Sequence, residues 1–268
     1  MAAYQGVLLD IDGVLTVSWR PLPGAIDAIA ALRAAGYRLR FITNTTSRTR
    51  PVLSETLLRA GFDIAPEEIL TAAAATAAYL RRAHPGARCF LLTSGEVGTD
   101  FDGITLTGSG EPADVVVIGG AGVEFSHDAL NHAFRLLQDG APLVAMHRNL
   151  FWRTGDKLTL DAGAYVLGLE KASGTRATVV GKPARAFYAQ ALAELGVAAD
   201  RTVVIGDDLE ADVRGGKEAG LTGVLVRTGK FRQTDLDHSS IAPDAVIDSI
   251  VDLPAWLRAR RGPAADGV

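Results

Sequence analysis

Hydrophobic and polar positions repeat on two periods along this chain, and three times they meet in the same way. An apolar-faced helix ends at a glycine, and a nearly unbroken apolar run follows. The junctions fall at Gly36 before Leu39–Thr43, at Gly196 before Thr202–Gly206, and at Gly220 before Gly223–Arg227. Glycine suits the left-handed conformation that ends a helix. The runs Arg40-Phe41-Ile42, Val203-Val204-Ile205 and Val224-Leu225-Val226 lack polar alternation. That is the pattern of strands buried on both faces, as in a parallel sheet covered by helices. Gly6-Val7-Leu8-Leu9 is a further run of this kind. Helices alternating with such strands predict an α/β fold with a doubly wound, Rossmann-like parallel sheet.

The middle of the chain has its own pattern. Cys89–Leu92, Val115–Ile118 and Leu143–Met146 read as strands. Between the last two lies an amphipathic helix with Leu130, Phe134 and Leu137 on one face and Ser126 as its N-cap. The apolar stretch Ile69 to Leu80 is too short for a bilayer and reads as a strand end followed by a packed helix. Residues 73–177 are therefore expected to form an inserted α/β domain, with the parent core in residues 1–72 and 178–257. Ala177–Val180 is predicted to re-enter the parent sheet, Trp256 and Leu257 to lie on a core helix, and residues 258–268 to fray.

Composition narrows the function. The 268 residues carry 27 basic and 31 acidic side chains, a net charge of −4. Such a surface gives no reason to expect nucleic acid or an anionic membrane as partner. The lone Cys89 excludes an internal disulfide framework and reads as a small buried hydrophobe. Met-Ala-Ala-Tyr-Gln-Gly lacks the basic and apolar regions of a signal peptide, so the expected compartment is cytoplasmic. The only lysines are Lys157, Lys171, Lys182, Lys217 and Lys230. In a chain that otherwise uses Arg, a lysine can mark a place that needs a compact ammonium. Lys217 and Lys230 read as surface charges.

Chemistry collects after the strands, where an open parallel sheet binds ligands. Asp10 and Asp12 follow the first strand. Thr43 and Asn44 follow the second. Gly181, Lys182 and Pro183 follow Ala177–Val180, with Pro183 suited to the first position of a helix. Asp207, Asp208 and, one turn later, Asp212 follow Thr202–Ile205. Two other Asp-x-Asp spacings, Asp100/Asp102 and Asp235/Asp237, have no apolar strand before them and read as solvated loops. Carboxylates gathered this closely repel one another without a cation. Mg²⁺ suits them, as a hard ion that takes oxygen ligands and binds phosphate. One carboxylate can then attack phosphorus while a neighbour moves protons.

These residues carry a resemblance. Asp10-Ile11-Asp12-Gly13-Val14-Leu15, Thr43-Asn44, Gly181-Lys182-Pro183 and Gly206-Asp207-Asp208-x-x-x-Asp212 resemble the four motifs of the haloacid dehalogenase superfamily. The insertion resembles the large C2-type cap of its NagD-type branch. Phe41-Ile42-Thr43-Asn44-Thr45-Thr46, Ala133-Phe134-Arg135-Leu136-Leu137 and Arg227-Thr228-Gly229-Lys230-Phe231-Arg232 are similar to the group containing phospholysine phosphohistidine inorganic pyrophosphate phosphatase. The resemblance implies a Mg²⁺-dependent phosphatase acting on a small phosphorylated substrate. Asp10 would be the nucleophile and a metal ligand. Asp12 would be the acid/base and give its backbone carbonyl to the metal. Thr43, Asn44 and Lys182 would hold the phosphoryl oxygens. Asp207 would ligate the metal, Asp208 would act on it through water, and Asp212 would orient Lys182 or Asp207. Members of the pyrophosphatase group can lack a carboxylate at the Asp12 position, so its presence points to phosphomonoesters.

Rival readings share much of this pattern. A phosphotransferase or mutase, or a pyrophosphate or phosphoamide hydrolase, would use the same site. A phosphoacceptor signalling module also combines acidic residues, Thr and Lys, but in another order and at about half this length. A dehalogenase needs no metal, and a silent binding protein needs no intact catalytic set. In the insertion, His147 to Ala164 is expected to face the site, with His147, Arg148, Trp152, Arg153 and Asp161 as candidates. Cap-to-cap pairing through an exposed strand would give a homodimer, which the sequence leaves open.

Overall fold

The computed structural model describes residues 4–154 and 157–260, leaving aside the side chains of 152–154. The chain divides into two compact units. One comprises Met1–Thr43, Pro51–Leu70 and Lys182–Val268, the other Asn44–Arg50 and Thr71–Gly181.

The first unit carries a six-stranded sheet. Its spatial order is Ala245–Ile247, Thr222–Val226, Thr202–Gly206, Gly6–Asp10, Arg38–Thr43, Ile69–Thr71. Gly6 to Leu9 pair in parallel with Thr202 to Ile205 on one side, and Gly6 to Asp10 with Arg38 to Ile42 on the other. The strands are apolar because helices cover both faces, which leaves Val7, Leu8 and Leu9 fully buried. One core joins Val7, Leu9, Phe41, Leu53, Val203, Ile205 and Leu253. Strand order reverses between Gly6–Asp10 and Thr202–Gly206. The crevice beyond their carboxyl ends is therefore a topological switch point, where α/β sheets bind ligands.

The second unit has a five-stranded sheet in the order Thr178–Val179, Leu143–Ala145, Val115–Ile118, Arg88–Leu92, Thr105–Thr107. Its described pairs are all parallel. The amphipathic helix spans His127–Gln138, with the Ser126 Oγ accepting from the Ala129 amide at 3.2 Å. Phe151–Thr154 and Lys157–Leu160 form an antiparallel ribbon.

The α/β architecture with parallel sheets agrees with the sequence reading, and several elements differ from it. Thr178–Val179 pairs with Val144 and Ala145 in the second unit's sheet, so it does not re-enter the parent sheet. Two residues leave no room for the continuous apolar run that a parent strand shows. Pro183 lies before a helix that starts at Arg185, not at its first position. Asp100 is no solvated loop residue. It sits on a short helical turn, 4% exposed, and accepts from the Arg50 Nε at 2.8 Å. Asp235 and Asp237 are exposed, but on the helix Gln233–His238. Ile69–Thr71 and Ala72–Ala83 form the expected strand and packed helix. Cys89 is buried, and burial pushes its thiol up to about 11. Leu257 is buried and Trp256 stacks on Tyr4 at 5.9 Å. Of the tail expected to fray, residues 261–268 lie outside the described residues.

Leu9 lies at the centre of the first core. Leu9→Ala is expected to lower unfolding stability by about 2–5 kcal/mol, the cost of lost transfer energy plus a cavity. Urea unfolding measures this, and a loss under about 1 kcal/mol would contradict the assignment of this core.

Candidate active site

Asp10 is the last residue of its strand and is buried. A tight turn follows, in which the Gly13 amide donates to the Thr16 carbonyl at 2.7 Å and that of Leu15 to Ile11 at 2.9 Å. The turn leads into a small hairpin, Thr16–Val17 with Arg20–Pro21. Its tip residues, Ser18 and Trp19, have φ of 50° and 64°. Left-handed backbone at two non-glycine residues is costly and tends to persist at functional sites. Here the Ser18 backbone favours the charged Asp12 carboxylate, against the burial that raises it.

Lys182 joins the first and fourth motifs. Its buried ammonium donates to the Asp10 Oδ1 and to the Asp212 Oδ1, both at 2.6 Å. Desolvation opposes this charge, but Asp10 and Asp212 outweigh it, and the ammonium stays well above its ordinary value. Asp208 caps the helical turn that follows it. Its Oδ1 accepts from the amides of Glu210 at 3.0 Å and Ala211 at 2.9 Å. Its own amide donates to the Asp212 Oδ2 at 3.3 Å. That turn, Leu209–Arg214, is a π-helix, the wide form that often occurs at functional sites.

Asp207 is 3% exposed, and its Oδ2 accepts from the Lys230 amide at 2.6 Å. Its Oδ1 is buried with no hydrogen-bond partner. Glycines surround it. A Cβ on Gly13 (φ 91°) or on Gly229 (φ 63°) would lie 2.0 Å from the Asp207 Oδ2. A Cβ on Gly206 would lie 2.1 Å from the Asp212 Cγ. These are close approaches that no side chain allows.

Ligand oxygens of Asp10, Asp207 and Asp212 all lie within 4.8 Å of one another. Burial raises all three carboxyls, Asp207 to about 8 and Asp212 to about 7; the charge of Asp10 adds to the rise at Asp207 and Asp212, and that of Asp12 to the rise at Asp10. An unpartnered carboxylate oxygen inside a cluster of hard donors fits a divalent cation, which would restore the charged forms. Asp12 is open to solvent on one side. Desolvation by the rim still raises its carboxyl, against the opposing charges of Lys230 and Lys182.

The structure thus brings together Asp10, Lys182, Asp207, Asp208 and Asp212, with Asp12 at the rim. Thr43 is buried at its strand end, one residue past Ile42, the register partner of Asp10. Asn44 begins the second unit, where its Oδ1 would lie 2.7 Å from a Cβ on Gly181.

Sequence reasoning missed two contributors. Lys230 looked like a surface charge, and its side chain is exposed. Its amide nonetheless holds Asp207, and its ammonium lies 3.8 Å from the Asp208 Oδ2. The signal was available: Thr228-Gly229-Lys230 follows the strand beside Thr202–Gly206. The Thr228 hydroxyl donates to the Gly13 carbonyl at 2.5 Å. The second contributor, Tyr188, lies on a helix face with no motif to mark it. Its hydroxyl donates to the Ala211 carbonyl at 2.6 Å.

Within the second unit, the buried His147 accepts from the Asn149 amide at 3.2 Å and lies 3.9 Å from Asp161. Asp161 caps the helix Ala162–Ser173. Arg148 pairs with Glu170, so it is not a free cation. The side chains of Trp152 and Arg153 lie outside the described residues.

Known proteins resemble this chain over most of its length. A family model described as haloacid dehalogenase-like hydrolase matches residues 7–107, and a HAD-hydrolase-like model matches residues 179–253. Haloacid dehalogenase-like hydrolase domain-containing protein 2 of Bos taurus is 40% identical over 92% of this chain and 93% of its own length. Phospholysine phosphohistidine inorganic pyrophosphate phosphatase of Homo sapiens is 36% identical over 94% and 93%. Among solved structures, p-nitrophenyl phosphatase from Archaeoglobus fulgidus has a TM-score of 0.88 at 28% identity, covering 95% of this chain and 100% of that one. NagD from E. coli K-12 has a TM-score of 0.84 at 29% identity, covering 94% and 98%. The glycerol phosphate phosphatase Rv1692 from Mycobacterium tuberculosis, in complex with magnesium, has a TM-score of 0.85 at 26% identity, covering 93% and 76%. The chain belongs to the haloacid dehalogenase-like hydrolases, in their NagD-type branch, and is a phosphatase. No helix among the described residues is long and apolar enough to cross a membrane.

Asp207 at about 8 and Asp212 at about 7 stand above the ordinary 3.8 of an unfolded chain. The folded state then holds extra protons, so their contribution is full below about 4 and is lost as pH rises through 7 to 8. Metal-free protein should show a Tm that falls from about pH 5 to about pH 8.5, and Asp207→Asn should flatten the fall. A Tm that rises across this window would contradict the crowding described here.

Proposed function

We propose that this phosphatase is a Mg²⁺-dependent hydrolase of small phosphate monoesters that carries the phosphoryl group on Asp10. The observation that carries the reading is the buried ammonium of Lys182, 2.6 Å from Asp10 and from Asp212, beside the unpartnered Oδ1 of Asp207. Support also comes from the relatives, among them a p-nitrophenyl phosphatase and a glycerol phosphate phosphatase in complex with magnesium.

Asp10 attacks phosphorus in line with the leaving oxygen, forming an aspartyl-phosphate. Asp12 protonates that oxygen as it departs. The same carboxylate then takes a proton from the water that attacks the acyl phosphate, and inorganic phosphate leaves. Its position at the rim, with a raised carboxyl, suits both steps. Lys182 stabilises charge on the equatorial oxygens of the transferring group, and Thr43 and Asn44 hold those oxygens. Asp10, Asp207 and the Asp12 carbonyl would hold the ion. Mg²⁺ bound there would supply a hard Lewis acid for the negative charge of the phosphoryl group. Asp208 would support the ion indirectly. Asp212 is engaged by Lys182 and the Asp208 amide, so it orients rather than reacts.

An aryl phosphate reports the chemistry directly. Wild-type protein should release phosphate with Mg²⁺ and stop on chelation. Asp10→Asn should abolish release, and Asp12→Asn should slow it by about 10²–10⁴-fold. Turnover without metal, or an active Asp10→Asn variant, would overturn the mechanism.

A further inference from the structure

Tyr188 is fully buried and takes no part in the steps above. It lies on the helix Arg185–Leu195, six residues after Lys182. Its hydroxyl reaches the backbone of the turn that carries Asp212, at 2.6 Å from the Ala211 carbonyl and 3.3 Å from that of Asp212. Both residues lie within the π-helix Leu209–Arg214, which continues as the α-helix Gly215–Glu218. The wide helix is rare and less favourable than an α-helix, so something outside it must hold its register.

The ring does as much as the hydroxyl. A Cβ on Gly215 would lie 2.7 Å from the Tyr188 Cε2 and 2.8 Å from the Pro183 Cα. The same small gap therefore brings together the ring, the residue after Lys182 and the turn after Asp212. A Cβ on Gly216 would lie 2.3 Å from the Val204 Cγ1, so the next residue presses on the strand leading to Asp207. Tyr188 touches the supports of both ends of the Lys182–Asp212 ion pair.

We infer that Tyr188 is a positioning residue: its hydroxyl holds the π-helical register that aims the Asp212 carboxylate at Lys182, and through Lys182 it orients Asp10. This rests on the function proposed above. Tyr188→Phe removes only the hydroxyl and keeps the ring that fills the core.

Two readouts test it. The first is aryl phosphate hydrolysis with Mg²⁺ for wild type, Tyr188→Phe, Asp212→Asn and the double variant. Losing one hydrogen bond to the register should lower kcat by about tenfold. KM should stay within about twofold, since phosphate still meets the same groups. In the Asp212→Asn background the second change should move kcat by less than about twofold, because the two residues act as a unit. An unchanged kcat in Tyr188→Phe, or losses that multiply in the double variant, would overturn the inference.

The second readout is amide hydrogen exchange. Tyr188→Phe should raise exchange across residues 208–216 and leave the strand Thr222–Val226 protected. Unchanged protection of residues 208–216 overturns the inference by itself. This readout needs no turnover, so wild-type protein that released no phosphate would count against the proposed function alone.

Discussion

One ammonium among carboxylates sets the terms for this structure. Lys182 lies 2.6 Å from Asp10 and from Asp212, and Asp207 completes the cluster. All four side chains are buried. Paired charges in a poorly solvated place are expensive unless geometry and hydrogen bonds are both good. Here one lysine faces three carboxylates, which leaves an excess of negative charge. Burial first, and repulsion within that excess second, raise the carboxyls of Asp207 and Asp212. A divalent cation is the simplest partner that removes it, and the unpartnered Asp207 oxygen is where the shortage is visible.

The rest of the first unit serves this arrangement. Parallel strands on either side of the switch point deliver Asp10 and Asp207 to one crevice. Glycines at 13, 206 and 229 leave room for the carboxylates of Asp207 and Asp212, which would lie 2.0 to 2.1 Å from a Cβ there. The π-helix brings Asp212 back towards Lys182, and Asp208 caps it. Each device has a local cost, in left-handed backbone, an uncommon helix or buried charge. Costs of this kind gather at functional sites, where the surroundings over-determine the strained geometry.

The sequence carried the fold and the acidic cluster because both are written in local patterns. Unbroken apolar runs marked the parallel strands, and side chains just past them marked the rim. Lys230 was hidden because its part is played by a backbone amide, which no residue type announces. Tyr188 was hidden because an aromatic on a helix face reads as packing, and its hydroxyl contact spans 23 residues of sequence. Asp100 misled for the opposite reason. Its spacing and surroundings looked like solvent, while its burial depends on Arg50 from a distant segment. Thr178–Val179 misled because a short apolar run does not say which of two sheets it joins.

On a site of this kind, the fate of the phosphoryl group separates hydrolysis from transfer. The proposed mechanism places that group on Asp10 before water reaches it. The most direct measurement is to quench the protein in acid during turnover with Mg²⁺, reduce acyl phosphates with borohydride and map the peptides by mass. The account predicts conversion of Asp10 to homoserine, dependent on substrate. Phosphate release with no modification at Asp10, or modification at another residue, would contradict it.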